Sequence, residues 1–140
     1  MSQKDINIAS LLDSDRSGRL RQLHDQLVTA GLKTNMPSNS STLLFEAVAK
    51  DKKRHGIVAL RSSGSHIFSF PKSYWGPRVQ ELNAALGNID NCHFIETDGA
   101  VSSSQYSLKQ VRVTEHTVEA LRNIVGTLIA PHAGRLRGDV

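Results

Sequence analysis

Apolar residues recur along this chain with two different periods, and the switches between them mark out its elements. Ile6, Ile8, Leu11 and Leu12 form a short apolar-periodic piece, which reads as one or two helical turns docking on a core. Asp13-Ser14-Asp15 follows as a helix-starting cluster, because such side-chain oxygens accept from the first free backbone N–H groups of a helix. Leu20, Leu23 and Leu27, joined by Val28, then line one helical face. Gly31 suits the left-handed position that closes a helix, and the pattern predicts a helix over residues 16–30.

Residues 33–41 are polar and read as a connection. Residues 42–49 fit both periods: Leu43, Leu44, Ala47 and Val48 suit a helix, while Leu43, Phe45, Ala47 and Ala49 suit a strand. The charged turn and the strand-like run that follow favour a strand. Ile57-Val58-Ala59-Leu60 is such a run, and His66-Ile67-Phe68-Ser69-Phe70 alternates strictly, with Phe68 and Phe70 on one face. The turn formers Ser62-Ser63-Gly64-Ser65 lie between them. Residues 57–61 and 66–70 are therefore expected to pair as an antiparallel hairpin, with Arg61 across from His66.

Pro77 is favoured in the first turn of a helix, and Trp75, Val79, Leu82 and Leu86 repeat at helical spacing before Gly87 closes it. Trp75 reads as core and Tyr74 as the freer ring. Cys92 to Thr97 reads as a strand, Asp98-Gly99 as a tight turn, Ser102 to Gln105 as exposed, and residues 106–113 as a strand with Val111 and Val113 on one face. Thr114 is placed to cap a last helix, with Glu115 and Glu119 near its positive end. Val118, Leu121, Val125 and Leu128 form its stripe, widened by Ile124 and Ile129. Pro131 is expected to stop it, leaving residues 132–140, with Arg135 and Arg137, as a mobile basic tail.

The order of elements predicts one α+β domain over residues 1–131, with 1–15 as an N-terminal extension. Its centre is a mostly antiparallel sheet of about four to five strands packed by three main helices. A hydrophobic content of 39% is too high for a disordered chain, and aromatics at 5% leave Leu, Ile and Val to fill the core. No apolar run approaches the roughly 20 residues needed to cross a bilayer, and Met1 is followed by polar residues rather than a secretory h-region. A cytoplasmic protein with no membrane partner is expected. Cys92 is the only cysteine, so neither an internal disulfide nor a cysteine zinc site can form in one chain.

Charge adds a candidate surface. The net charge is +4, and Lys50, Lys52, Lys53 and Arg54 are opposed in their run by Asp51 alone. In a turn they would project together, and cations so placed bind phosphates in a salt-sensitive way by releasing counterions. Arg61 and His66 bracket a loop whose hydroxyls and N–H groups could join an arginine fork around an anion. Arg78 and Lys72 lie near Tyr74 and Trp75, an interleaving of cations and rings that suits single-stranded nucleic acid.

Catalytic signatures are sparse. Gly-x-x-x-x-Gly-Lys-Ser/Thr, Gly-x-Ser-x-Gly, His-x-x-x-His and His-Glu-x-x-His are all absent. The histidines at 24, 55, 66, 93, 116 and 132 have no metal-ligand spacing, and no metal or cofactor is expected. A helix, three strands, a helix and a strand resembles the core order of restriction-endonuclease-like domains. That resemblance implies an Asp and a Glu-x-Lys on adjacent strands, and neither Gly56–Arg61 nor Ser65–Phe70 holds a carboxylate.

The pattern thus points to a non-catalytic binding module with a basic face, its partner nucleic acid or an acidic protein. Lys50, Lys52, Lys53, Arg54, Arg61, His66 and Arg78 are the candidate contacts. One alternative is an accessory factor acting as a homodimer through the wide apolar arc of residues 118–129. Another is a small-molecule binder or enzyme using the loop between Arg61 and His66.

Overall fold

Leu43, Leu60, Phe68 and Val111 pair across four neighbouring strands and are all fully buried, which puts one continuous apolar row under the helices. The computed structural model describes residues 2–36, 42–63, 65–86 and 107–138. Its sheet has five antiparallel strands in sequential order: β1 (Lys33–Asn35), β2 (Thr42–Val48), β3 (Arg54–Ser63), β4 (Ser65–Pro71) and β5 (Ser107–Arg112). The expected α+β class and antiparallel sheet hold, and residues 42–48 take the strand reading. The strand and turn expected over 92–99 and the exposed stretch 102–105 lie outside the described residues.

Helices α1 (Gln3–Asp13) and α2 (Arg19–Thr29) precede the sheet. Leu11, Leu12, Leu20, Leu23 and Leu27 from these helices join the core. Asp15 sets the start of α2: its carboxylate accepts from the Leu20 N–H at 3.0 Å and the Ser17 N–H at 3.2 Å. That is the chemistry the Asp13-Ser14-Asp15 cluster promised, delivered from outside the helix because Gly18, at φ 81°, occupies the capping position. The segment expected as a plain polar connection contains β1, and Leu32 and Met36 on either side of it are buried. Three residues with one apolar neighbour at each end carry no period, so β1 leaves no trace in the pattern.

After β4 the chain turns through α3 (Lys72–Trp75), a 3-10 turn (Gly76–Arg78) and α4 (Val79–Leu86). Trp75 is fully buried, and its indole N–H donates to the Ile57 carbonyl at 2.8 Å. Tyr74, expected to be free, is only 5% exposed, whereas Val79 of the predicted stripe is 36% exposed. The 3-10 turn rotates α4 relative to α3, which takes Val79 off the shared face.

The last helix departs furthest from expectation. Thr117 rather than Thr114 sits at its start, and α5 (Val118–Ile124) runs into a π-helical stretch (Val125–Ile129) and then α6 (Ala130–Arg137). Proline is costly inside a helix because it lacks an N–H and crowds the carbonyl four residues back. Here Pro131 follows the widened turn, in which the Ala130 N–H reaches back to Val125 O. The helix therefore passes the proline, and His132, Ala133 and Gly134, expected in a mobile tail, are buried on α6.

Candidate anion-binding surface

The β2–β3 turn presents the basic run. Ala49 N–H donates to Lys53 O at 2.8 Å and Lys52 N–H to Ala49 O at 2.9 Å. Asp51, the single acid of the run, accepts from the Lys53 N–H at 3.0 Å and so serves the turn's own backbone. Lys52 has φ 67°, in the left-handed region that usually takes glycine or asparagine. Lys50, Lys52, Lys53 and Arg54 are all exposed.

Arg54 also borders a cleft of about 340 Å³ lined by Lys4, Val28, Leu32, Lys33 and Thr34. Lys4 comes from α1, Lys33 from β1 and Arg54 from β3, so only the fold brings these cations together. Lys4 Nζ donates to Thr34 O at 2.6 Å, and Arg54 pairs with Glu46 of β2 at 3.4 Å. The floor is apolar, with Leu32 buried and Val28 44% exposed. Sequence reading missed Lys4 and Lys33, since each is an isolated lysine in its own segment.

The C-terminal helix closes on the same end of the molecule. Arg137 donates to Ala30 O at 2.9 Å and packs against Gly31, while Lys50 packs against Gly138. Both glycines have positive φ, 96° and 80°, and neither contact leaves room for a Cβ without displacing the basic side chain. The Arg78 guanidinium lies 4.2 Å from the Tyr74 ring centroid and donates to Tyr74 O at 2.7 Å. The same ring has Trp75, His132 and His55 as edge-on neighbours, at 5.0, 5.7 and 6.1 Å between centroids.

Arg61 and His66 are elsewhere, and not across from each other. The hairpin is tighter than expected: Ser62 pairs with His66 and Arg61 with Ile67. A one-residue shift sends alternate side chains to opposite faces, so the expected Arg61–His66 bracket does not form. His66 Nε2 meets Ser14 Oγ at 3.2 Å. Ser14 Oγ donates its single proton to Leu11 O at 2.5 Å, so His66 must be the donor to it. That polarity is the reverse of a hydroxyl nucleophile held by a base.

A polar relay that the sequence did not announce ties α3, α4 and α6 together. The Tyr74 hydroxyl meets His132 Nδ1 at 2.7 Å, and His132 Nε2 meets Glu81 at 2.8 Å. Arg135 approaches the same carboxylate at 3.8 Å. Burial raises the Tyr74 phenol above its ordinary range, opposed by the charges of Arg78 and Arg135 and reinforced by Glu81. The relay joins helices, and its inner members Tyr74 and His132 are buried.

Among the described residues no group of three or more His, Cys, Asp or Glu side chains could hold a metal ion, and no helix is long and apolar enough to cross a membrane. No family model, curated protein or solved structure matches the chain, so the endonuclease-like element order finds no counterpart there.

Proposed function

We propose that this protein is a cytoplasmic, non-catalytic binding module that holds nucleic acid through its phosphates. The observation carrying this reading is the clustering at one end of the molecule: the exposed turn of Lys50, Lys52, Lys53 and Arg54 runs directly into the cleft edged by Lys4 and Lys33. Glu46 and Asp51 are the acids beside them, and one pairs with Arg54 while the other holds the turn. Contacts of this kind position a backbone without reading bases. Among the described residues the cleft has no aromatic lining on which bases would stack, which favours sequence-tolerant phosphate contact.

The homodimer alternative drew on the apolar arc of the last helix. Val118, Leu121, Ile124, Val125, Leu128 and Ile129 are all buried within the single chain, so the arc is covered without a second copy.

The test is a titration of labelled oligonucleotides at several salt concentrations. Affinity should fall linearly in log–log form, with a slope near 3 for three to four duplex phosphates at about 0.9 each. Replacing Lys52, Lys53 and Arg54 together with Ala should weaken binding on all sequences alike and flatten the slope. Binding that survives the triple substitution unchanged would refute the proposal.

A further inference from the structure

Among the described residues, the opposite face of the sheet carries hydrogen-bond donors with nothing to receive them. Two rows cross it at the hairpin end: Thr42, Arg61, Ile67 and Arg112 in one, and Leu44, Ala59, Ser69 and Gln110 in the next. Arg61 Nε and Gln110 Nε2 are buried and have no hydrogen-bond partner. Gln110 as a residue is only 5% exposed. Arg112 is exposed and takes part in none of the ion pairs among the described residues. Neither row contains a carboxylate. The Ser69 hydroxyl contacts the Ala59 carbonyl at 3.5 Å, which leaves its oxygen able to accept but supplies no anion.

Buried donors without acceptors are rare, because each loses its water without compensation. Here they share a face. Arg61 on β3 and Arg112 on β5 flank Ile67 of the intervening β4, about 10 Å apart at the backbone, within the combined reach of two guanidinium arms. Gln110 stands two residues before Arg112 on β5 and so lies on the same side. Arg112 is exposed and Gln110 is buried.

We infer that Arg61, Arg112 and Gln110 form a binding site for a phosphate group, separate from the basic turn. Two guanidinium groups with no carboxylate partner among the described residues match a phosphate that is close to a dianion at neutral pH. A guanidinium fork fits two of its oxygens, and the Gln110 amide takes a third. A site of this kind accepts free phosphate or a phosphate ester whose remaining bulk stays outside the Arg112 rim.

The test titrates inorganic phosphate into the full chain and follows the side-chain N–H resonances of Arg61 and Gln110 by NMR, with acetate in parallel. Phosphate should shift both resonances at concentrations at least tenfold below those at which acetate does. Arg112→Gln, at an exposed position, should weaken the phosphate response about tenfold, the equivalent of one charge-assisted hydrogen bond. Arg61→Gln should do the same where the variant folds. The Lys52, Lys53 and Arg54 triple variant should respond like the parent. No response of Arg61 and Gln110 to millimolar phosphate, an equal response to acetate, or an unchanged response in Arg112→Gln would each overturn the assignment. None of these outcomes bears on oligonucleotide binding by the turn, so the two sites stand or fall separately.

Discussion

Single side chains here do work that their residue type does not advertise. Asp15 is a buried carboxylate; burial pushes its pKa up, but hydrogen bonds from the Ser17 hydroxyl and the Leu20 and Ser17 N–H groups, with the charge of His66, bring it net below the ordinary value. A depressed folded-state pKa gives stability that is present above the unfolded value of about 3.9 and lost as pH falls through the folded one. Asp15→Ala should cost about 1–3 kcal/mol at neutral pH, and equilibrium unfolding curves should show the gap to the parent narrowing below about pH 4. Tyr74 behaves in the opposite sense. Its raised pKa gives stability present below the unfolded value of about 10 and lost as pH rises through the folded one. In a Tyr106→Phe background, ultraviolet absorbance should show the remaining phenol ionising above about 10, and an ordinary titration would contradict its burial. Tyr74→Phe should cost about 1–2 kcal/mol by leaving His132 Nδ1 without its partner, read by thermal or chemical unfolding.

At the scale of elements, periodicity worked where a segment is long enough to repeat and failed where one residue decides. The helix of Leu20, Leu23 and Leu27 and the hairpin of Ile57 to Phe70 were readable, because each shows its buried face more than once, whereas residues 42–49 fit both periods and only the neighbouring turn and strand favoured a strand there. Strand β1 was not, since Lys33–Asn35 is too short to alternate visibly. Pro131 misled, because a proline stops an α-helix but can follow a π-turn, and nothing in Val125–Ile129 marks the wider winding in advance. The hairpin shows how a small error travels: its existence was plain, yet the shorter connection moved Arg61 off His66 and dissolved the site drawn between them. Among candidate contacts, contiguous charges such as Lys50–Arg54 can be seen in a sequence, whereas Lys4 and Lys33, or Arg61 and Gln110, are united only by strand register and helix docking. The stripe of the last helix remains the sharpest energetic test at this scale. Leu121 is fully buried in the core cluster, so Leu121→Ala should cost about 2–5 kcal/mol in denaturant unfolding. The loss should be independent of protein concentration, because the stripe is covered within one chain.

Across the whole molecule, the two candidate anion sites lie toward opposite ends of β3. The turn cluster starts at Arg54 and the orphaned donors start at Arg61, roughly 23 Å away along an extended strand. That separation is more than twice the Debye length of about 8 Å at physiological salt, so each end should behave as its own electrostatic site. Sites this far apart that share no partner contribute additively within about 0.5 kcal/mol. The consequence is measurable on a ligand that touches both, such as an oligonucleotide carrying a terminal phosphate. Neutralising Lys52, Lys53 and Arg54, neutralising Arg112, and doing both should give affinity losses that sum on a logarithmic scale at physiological salt. At low salt the Debye length grows to about 30 Å at 0.01 M and spans the strand, so the combined loss should then depart from the sum. Equal coupling at both salt concentrations would mean that the two ends communicate through the sheet itself rather than through their fields. A terminal phosphate that adds nothing to affinity would mean that one strand never reaches both.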